Sequence, residues 1–355
     1  MTALRLIAGK TARNRIAEHG LTPELVRMVL GASGGPKWLV LMGLDKFIFG
    51  DWLARAPQSI DLVGSSIGAW RMASAAHPEP AKILARFHEL YFQFKKADAE
   101  SPKILTQASY RFLHELFDGG EDEKIVGNTQ RNLNIVTARA KGLNATSSKW
   151  LEGAAILASA GANAASRSLL AKFFDRVVFH SGSGVVCPEA WPDFHRRDVK
   201  VRANTLADVL MATGSIPFVA DPIANIAEAP KGVYRDGGVI DYHFDIPWKF
   251  DEGIGLYPHF YGHIIPGWFD KKRMARRARG AVWDQMLMLA PTNAFVANLP
   301  GGKIPERSNF TEMSDAERIS YWKKVTLESE RLAHEFSECL ARPGLLLDRL
   351  EAAPQ

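Results

Sequence analysis

Cysteine is nearly missing: the 355 residues hold two, Cys187 and Cys339, in unrelated segments. They form neither a CxxC pair nor a Cys/His ligand pattern. No disulfide framework and no metal site are therefore expected, and a reducing compartment is the natural setting. Long hydrophobic runs are missing too. No stretch approaches the roughly 20 apolar residues that cross a bilayer. Residues 1–10 carry one short apolar patch between charges, without the h-region and small-residue cleavage site of a secretory leader. The expected location is cytoplasmic. Internal repeats and low-complexity tracts do not stand out. Neither a Walker pattern nor a complete Gly-x-Gly-x-x-Gly spacing occurs, which removes the commonest nucleotide-binding signatures.

What is present is the balance of a globular chain. Apolar residues are 46% and charged residues 23%, enough to build a core without staples. The net charge of +5 is partly local, because Lys271, Lys272, Arg273, Arg276, Arg277 and Arg279 crowd one segment. Two readings stay open for it. One is a solvated helix face. The other is peripheral contact with an anionic membrane through residues 271–279, with Trp268, Phe269 and Trp283 as interfacial aromatics. No nucleic-acid motif accompanies the basic run, so that partner is not expected.

Apolar strand patterns alternate with helical ones, which predicts an α/β fold with a mainly parallel central sheet and helices on its faces. Strands are expected near 25–30, 60–63, 132–138, 176–179, 233–235 and 256–265. Helices are expected near 38–49, 69–76, 81–94, 101–116, within 154–174, at 206–213 and at 316–342. The Pro- and Gly-containing stretch 291–305 reads as a surface loop. With no convincing linker, residues 1–355 are expected to form a single domain, with a C-terminal helical segment from about 314.

Two segments carry G-x-S-x-G: Gly31-Ala32-Ser33-Gly34-Gly35 and Gly64-Ser65-Ser66-Ile67-Gly68. Each follows a strand pattern and precedes a helical one, the setting of a nucleophile elbow, in which a sharp turn exposes the serine. Spacing alone does not say which serine attacks. A hydrolytic serine needs a proton acceptor and donors for an oxyanion. Gly34 and Gly35 open a helix whose N–H groups can share an anion site, which suits the first turn to the oxyanion and the second to the nucleophile. Asp236-Gly237-Gly238 places a carboxylate at a strand end; alone it is a turn signal.

The order of the pieces carries a resemblance. A glycine-rich loop with a basic residue (Gly34, Gly35, Lys37), then Gly64-x-Ser66-x-Gly68, then Ala212-Thr213-Gly214-Ser215-Ile216-Pro217, then Asp236-Gly237-Gly238, resembles the patatin-like phospholipase family over about residues 28–247. The sequence departs from the family's pattern where Ser33 stands for a glycine and Trp38 follows Lys37. The resemblance implies a three-layer α/β/α fold and hydrolysis of lipid acyl esters through an acyl-enzyme. Ser66 would be nucleophile and Asp236 base, with Gly34 and Gly35 as oxyanion donors. Lys37 is a candidate contact for a substrate phosphate. That hydrolysis needs no dissociable cofactor.

Three alternatives stay open. An α/β-hydrolase triad would add His243, His259 or His263, all downstream of Asp236 as the chain order Ser–Asp–His requires. A non-catalytic lipid- or membrane-binding protein could use the same scaffold. Acyl transfer to an acceptor other than water could use the same dyad.

Overall fold

The apolar runs before the two glycine-rich turns become neighbouring strands of one sheet. The computed structural model describes residues 2–145 and 149–355. Its strands are β1 (Leu4–Ala8), β2 (Val26–Gly31), β3 (Ile60–Ser65), β4 (Arg131–Ala140), β5 (Phe174–His180), β6 (Arg196–Lys200), β7 (Ile223–Ala224), β8 (Val233–Asp236), β9 (Ile254–Pro258), β10 (Met286–Pro291) and β11 (Leu350–Ala352). The main path is β11-β1-β10-β9-β2-β3-β4-β5-β6, with β8 pairing both β4 and β7. The centre, β10-β9-β2-β3-β4, is parallel throughout. Helices cover both faces, giving the expected three-layer α/β/α architecture. The strands are buried on both faces and correspondingly apolar: every residue of β9 and β10 is buried.

Antiparallel pairs sit on the flanks, β1 with β10 and β4 with β5. Strand β4 is the hinge of the design. Its first half pairs with β3 through Ser65 opposite Val136. Along the same edge its second half pairs with β8, running the other way, starting at Asp236 opposite Thr137. Two strands thus end head to head on consecutive residues of β4, which brings Ser65 and Asp236 together across 171 positions of sequence.

Several expectations are corrected. The strand expected over 256–265 stops at Pro258, because the Tyr261 amide turns back onto His259 Nδ1 at 2.8 Å. The helix expected within 154–174 spans Lys149–Ala165, and residue 174 already begins β5. The expected loop 291–305 contains a helix, Asn293–Asn298, whose first turn is capped by Thr292 Oγ1 accepting from the Phe295 amide at 3.0 Å. The C-terminal helix Asp315–Ala341 starts at a Ser314–Glu317 capping box. Among the described residues no helix is long and apolar enough to cross a membrane.

Candidate active site

The two glycine-rich turns lie side by side at the carboxyl ends of β2 and β3, with Gly31 in register with Gly64. That is where open parallel sheets place ligands. Helix Ile67–Ala75, buried along its whole length, starts from the second turn. Gly68 lets it pass against β2, since a Cβ there would overlap the Gly31 carbonyl oxygen. A fully buried pair, Arg71 to Asp45 at 2.6 and 2.7 Å, ties this helix to helix Met42–Phe47.

Ser66 sits at the elbow with φ 53 and ψ −135, a strained conformation for a residue with a side chain. Its amide donates to Thr213 Oγ1 at 2.8 Å, and the Thr213 hydroxyl donates to the Val136 carbonyl at 2.5 Å. The turn is thereby fastened to the middle of β4, at the junction between β3 and β8. Thr213 belongs to the segment 212–217 picked out in the sequence. Ser66 Oγ donates to Asp236 Oδ2 at 2.7 Å. The other carboxylate oxygen accepts from the Gly238 amide at 2.6 Å, and the Asp236 amide donates to the Ser215 carbonyl at 3.0 Å. Both residues are buried, with Ser66 6% and Asp236 5% exposed. Gly237 is required by crowding, as a Cβ would overlap the Val136 carbonyl oxygen. Burial lifts Asp236 from the ordinary carboxylate range to about 6, against the pull of the Ser66 and Gly238 hydrogen bonds. The group is therefore ionised at neutral pH and more basic than a solvated aspartate.

Ser33 occupies a different environment. It is 1% exposed, and its hydroxyl lies 2.7 Å from Ser65 Oγ. Ser65 Oγ in turn donates to the Asp241 carbonyl at 2.7 Å, so Ser33 supplies the proton between the two hydroxyls. Ser33 is a strut between the turns.

Gly34, Gly35, Lys37, Ser66 and Asp236 all line one cavity of about 380 Å³, within the range of small-molecule sites. Gly35, at φ 56, begins the 3-10 turn Gly35–Leu41. Ile216, Pro217, Phe218, Val219 and Val239 give the cavity an apolar wall. Two cations stand at its edge: Lys271, expected only as part of the basic run, and Arg307, which no sequence motif singles out. The Lys271 ammonium lies 4.4 Å from the Tyr242 ring centroid, and desolvation draws its pKa down to about 8. Arg307 also lines the cavity and makes no ion pair among the described residues, whereas Lys37 is bound to Glu306 at 2.8 Å. Arg307 belongs to no motif and lies 241 positions from Ser66, so no local pattern points to it.

No histidine lines this cavity among the described residues. His243 is fully buried elsewhere, with Nδ1 accepting from the Ile265 amide at 3.2 Å and its ring 4.3 Å from that of His259. Burial holds both imidazoles neutral, His259 at about 3. His263 stacks on Tyr261 instead. The basic run is also corrected. It forms short turns around Trp268–Asp270 and Met274–Arg276 instead of a helix face. Trp283, expected at an interface, is 1% exposed in the core, and Trp268 faces the cavity.

No family model and no curated protein matches the chain. Among solved structures it is similar to human GIVD cytosolic phospholipase A2, with 10% identity and a TM-score of 0.42, over 96% of this chain and 64% of that one. It is also similar to VipD from Legionella pneumophila, with 13% identity and a TM-score of 0.30, over 73% of this chain and 53% of that one. The chain thus spans less than two thirds of the length of either.

Proposed function

We propose that the chain is a serine acyl hydrolase, a lipid esterase that works through a Ser66–Asp236 dyad. The observation that carries this reading is the 2.7 Å hydrogen bond from a strained, buried elbow serine to a carboxylate with raised pKa at the floor of a cavity. Asp236 takes the hydroxyl proton as Ser66 Oγ attacks the ester carbonyl carbon. The carbonyl π electrons move to oxygen, giving a tetrahedral oxyanion. Amides of Gly34 and Gly35 stabilise that charge, aided by the leading N–H groups of helix Ile67–Ala75, which lack intrahelical acceptors. The Ser66 amide is not among these donors, since Thr213 holds it. Collapse expels the alcohol, which takes the proton from Asp236 and leaves an acyl-serine. Water, deprotonated by Asp236, then releases the acid and regenerates Ser66.

The apolar wall suits an acyl chain, and the cations suit a phosphate. Arg307 is the stronger phosphate contact because it has no ion-pair partner among the described residues, with Lys37 contributing in company with Glu306. We treat residues 1–355 as one hydrolase unit, acting on lipid in peripheral contact with an anionic membrane. The absence of histidine from the cavity lining among the described residues weighs against a triad hydrolase.

The test is hydrolysis of a p-nitrophenyl butyrate by wild type, Ser66→Ala, Asp236→Asn, Ser33→Ala and His243→Ala. Loss confined to the first two variants supports the dyad. Loss in Ser33→Ala with Ser66→Ala active assigns the chemistry to the other turn, and loss in His243→Ala favours a triad. A wild type inert towards esters and phospholipids alike would favour the binding-protein reading.

A further inference from the structure

Helix Lys149–Ala165 is built inside out. Its inward stripe carries three polar residues beside Ala155, itself 2% exposed: Glu152, Ser159 and Asn163 are 8%, 0% and 1% exposed. Each has a partner in the body of the protein. Glu152 pairs with Arg235 at 2.8 Å, Ser159 Oγ accepts from Asn144 Nδ2 at 3.3 Å, and Asn163 Nδ2 donates to Asp270 Oδ1 at 2.8 Å. The outward face is apolar. Trp150, Leu151 and Leu157 are 88%, 45% and 74% exposed, and the spaces between them are filled by exposed Ala154, Ala158, Gly161 and Ala164. Among the described residues of that face no polar side chain interrupts it. A surface helix that ends in water does the reverse, and large apolar side chains gathered in one exposed patch mark a docking surface.

The basic segment continues this face. Arg273 Nη1 donates to the Ala164 carbonyl at 3.2 Å and Arg276 Nη2 to the Asn163 carbonyl at 2.9 Å, which fastens the loop to the helix end. Met274 between them is 73% exposed. Of Lys271, Lys272, Arg273, Arg276, Arg277 and Arg279, only Arg276 has a carboxylate within reach among the described residues, at 4.0 Å. Both elements border the candidate active site. Lys271 lines the Ser66 cavity, and Glu152 and Arg235 line a neighbouring space of about 600 Å³. Phe218, at φ 66, is shared by the two.

We propose that the outer face of helix Lys149–Ala165, with Met274 and the unpaired cations of the 271–279 loop, docks on an anionic lipid bilayer. Docking holds the Ser66 cavity at the lipid surface, so this inference rests on the lipid-esterase reading above. The charge decides for a bilayer over a second copy of the chain. A self-complementary dimer through this face would set two basic loops against one another, whereas anionic headgroups neutralise them while Trp150, Leu151 and Leu157 enter the interface.

The test is sedimentation of the full chain with phosphatidylcholine vesicles, with and without 30 mol% phosphatidylserine, alongside turnover of a soluble ester. Wild type is expected to bind the anionic vesicles and to lose binding in high salt. The double variant Trp150→Ser, Leu157→Ser should weaken binding at least about tenfold. Lys272→Ala and Arg273→Ala should each weaken it about fivefold. Ser66→Ala should bind as wild type while losing ester turnover, which separates the two claims. Binding without wild-type turnover would remove the esterase reading and leave docking in place. Vesicle binding unchanged in the Trp150, Leu157 variant would overturn the proposal. So would a wild type that ignores both vesicles and runs as a dimer which that variant dissolves.

Discussion

The two G-x-S-x-G turns share a spacing, a sheet and a register, and differ in what stands opposite them. At the first turn the serine is folded inward, its hydroxyl spent on Ser65. At the second, the serine occupies a positive φ that aims its hydroxyl into the cavity, where β8 delivers Asp236. The glycines differ as well. Gly68 is demanded by contact with the neighbouring strand, whereas Gly35 has open space around its Cα and is demanded only by its φ of 56. A motif of five residues therefore fixes a turn. The strand paired beyond it fixes which side chain meets the serine.

The two turns should differ most at their serines. Ser66→Ala should lower kcat on a short ester by at least about 10⁴-fold. Asp236→Asn should lower it by about 10⁴-fold while stabilising the protein at neutral pH. The sign follows from burial, which lifts Asp236 from 3.8 to about 6 in the folded state. Between those values the folded chain binds more protons than the unfolded one, so stability falls as pH rises through the window. Replacing the carboxylate should return on the order of 2 kcal/mol at pH 7.5 and nothing near pH 4, read by denaturant unfolding at both. The same group should make kcat/KM of wild type fall about tenfold per pH unit below about 6.

Smaller effects sharpen the contrast between the turns. Gly68→Ala should cost about 2–3 kcal/mol of stability through overpacking, and Gly35→Ala about 1 kcal/mol through its backbone alone; thermal melts distinguish them. Ser33→Ala should cost about 1 kcal/mol for the lost strut and leave ester turnover within tenfold of wild type.

Much of this was readable in the sequence because it is local. Strand-then-turn-then-helix marked both elbows, and β2 and β3 extend only one or two residues beyond their expected ends. Ser66 and the Gly34-Gly35 pair lie in those turns, Asp236 lies in its own Asp-Gly-Gly turn, and all four line one cavity. What escaped was non-local. β1 and β11 are short and lie at opposite ends of the chain, yet pair in the sheet. The antiparallel entry of β8 along β4, end to end with β3, leaves no trace in periodicity. Arg307 carries no motif. The polarity of helix Lys149–Ala165 is inverted, so composition showed an alanine-rich helix without showing which side faces out. Trp283 looked interfacial beside the basic run and is instead core, its indole donating to the Ala278 carbonyl at 3.0 Å.

The most direct test of the central claim is reaction with a fluorophosphonate, followed by peptide mass mapping of the adduct. A single phosphonyl group on Ser66, formed by wild type and suppressed in Asp236→Asn, is the expected result. An adduct on Ser33, or ester turnover by a protein whose Ser66 stays unmodified, would contradict it.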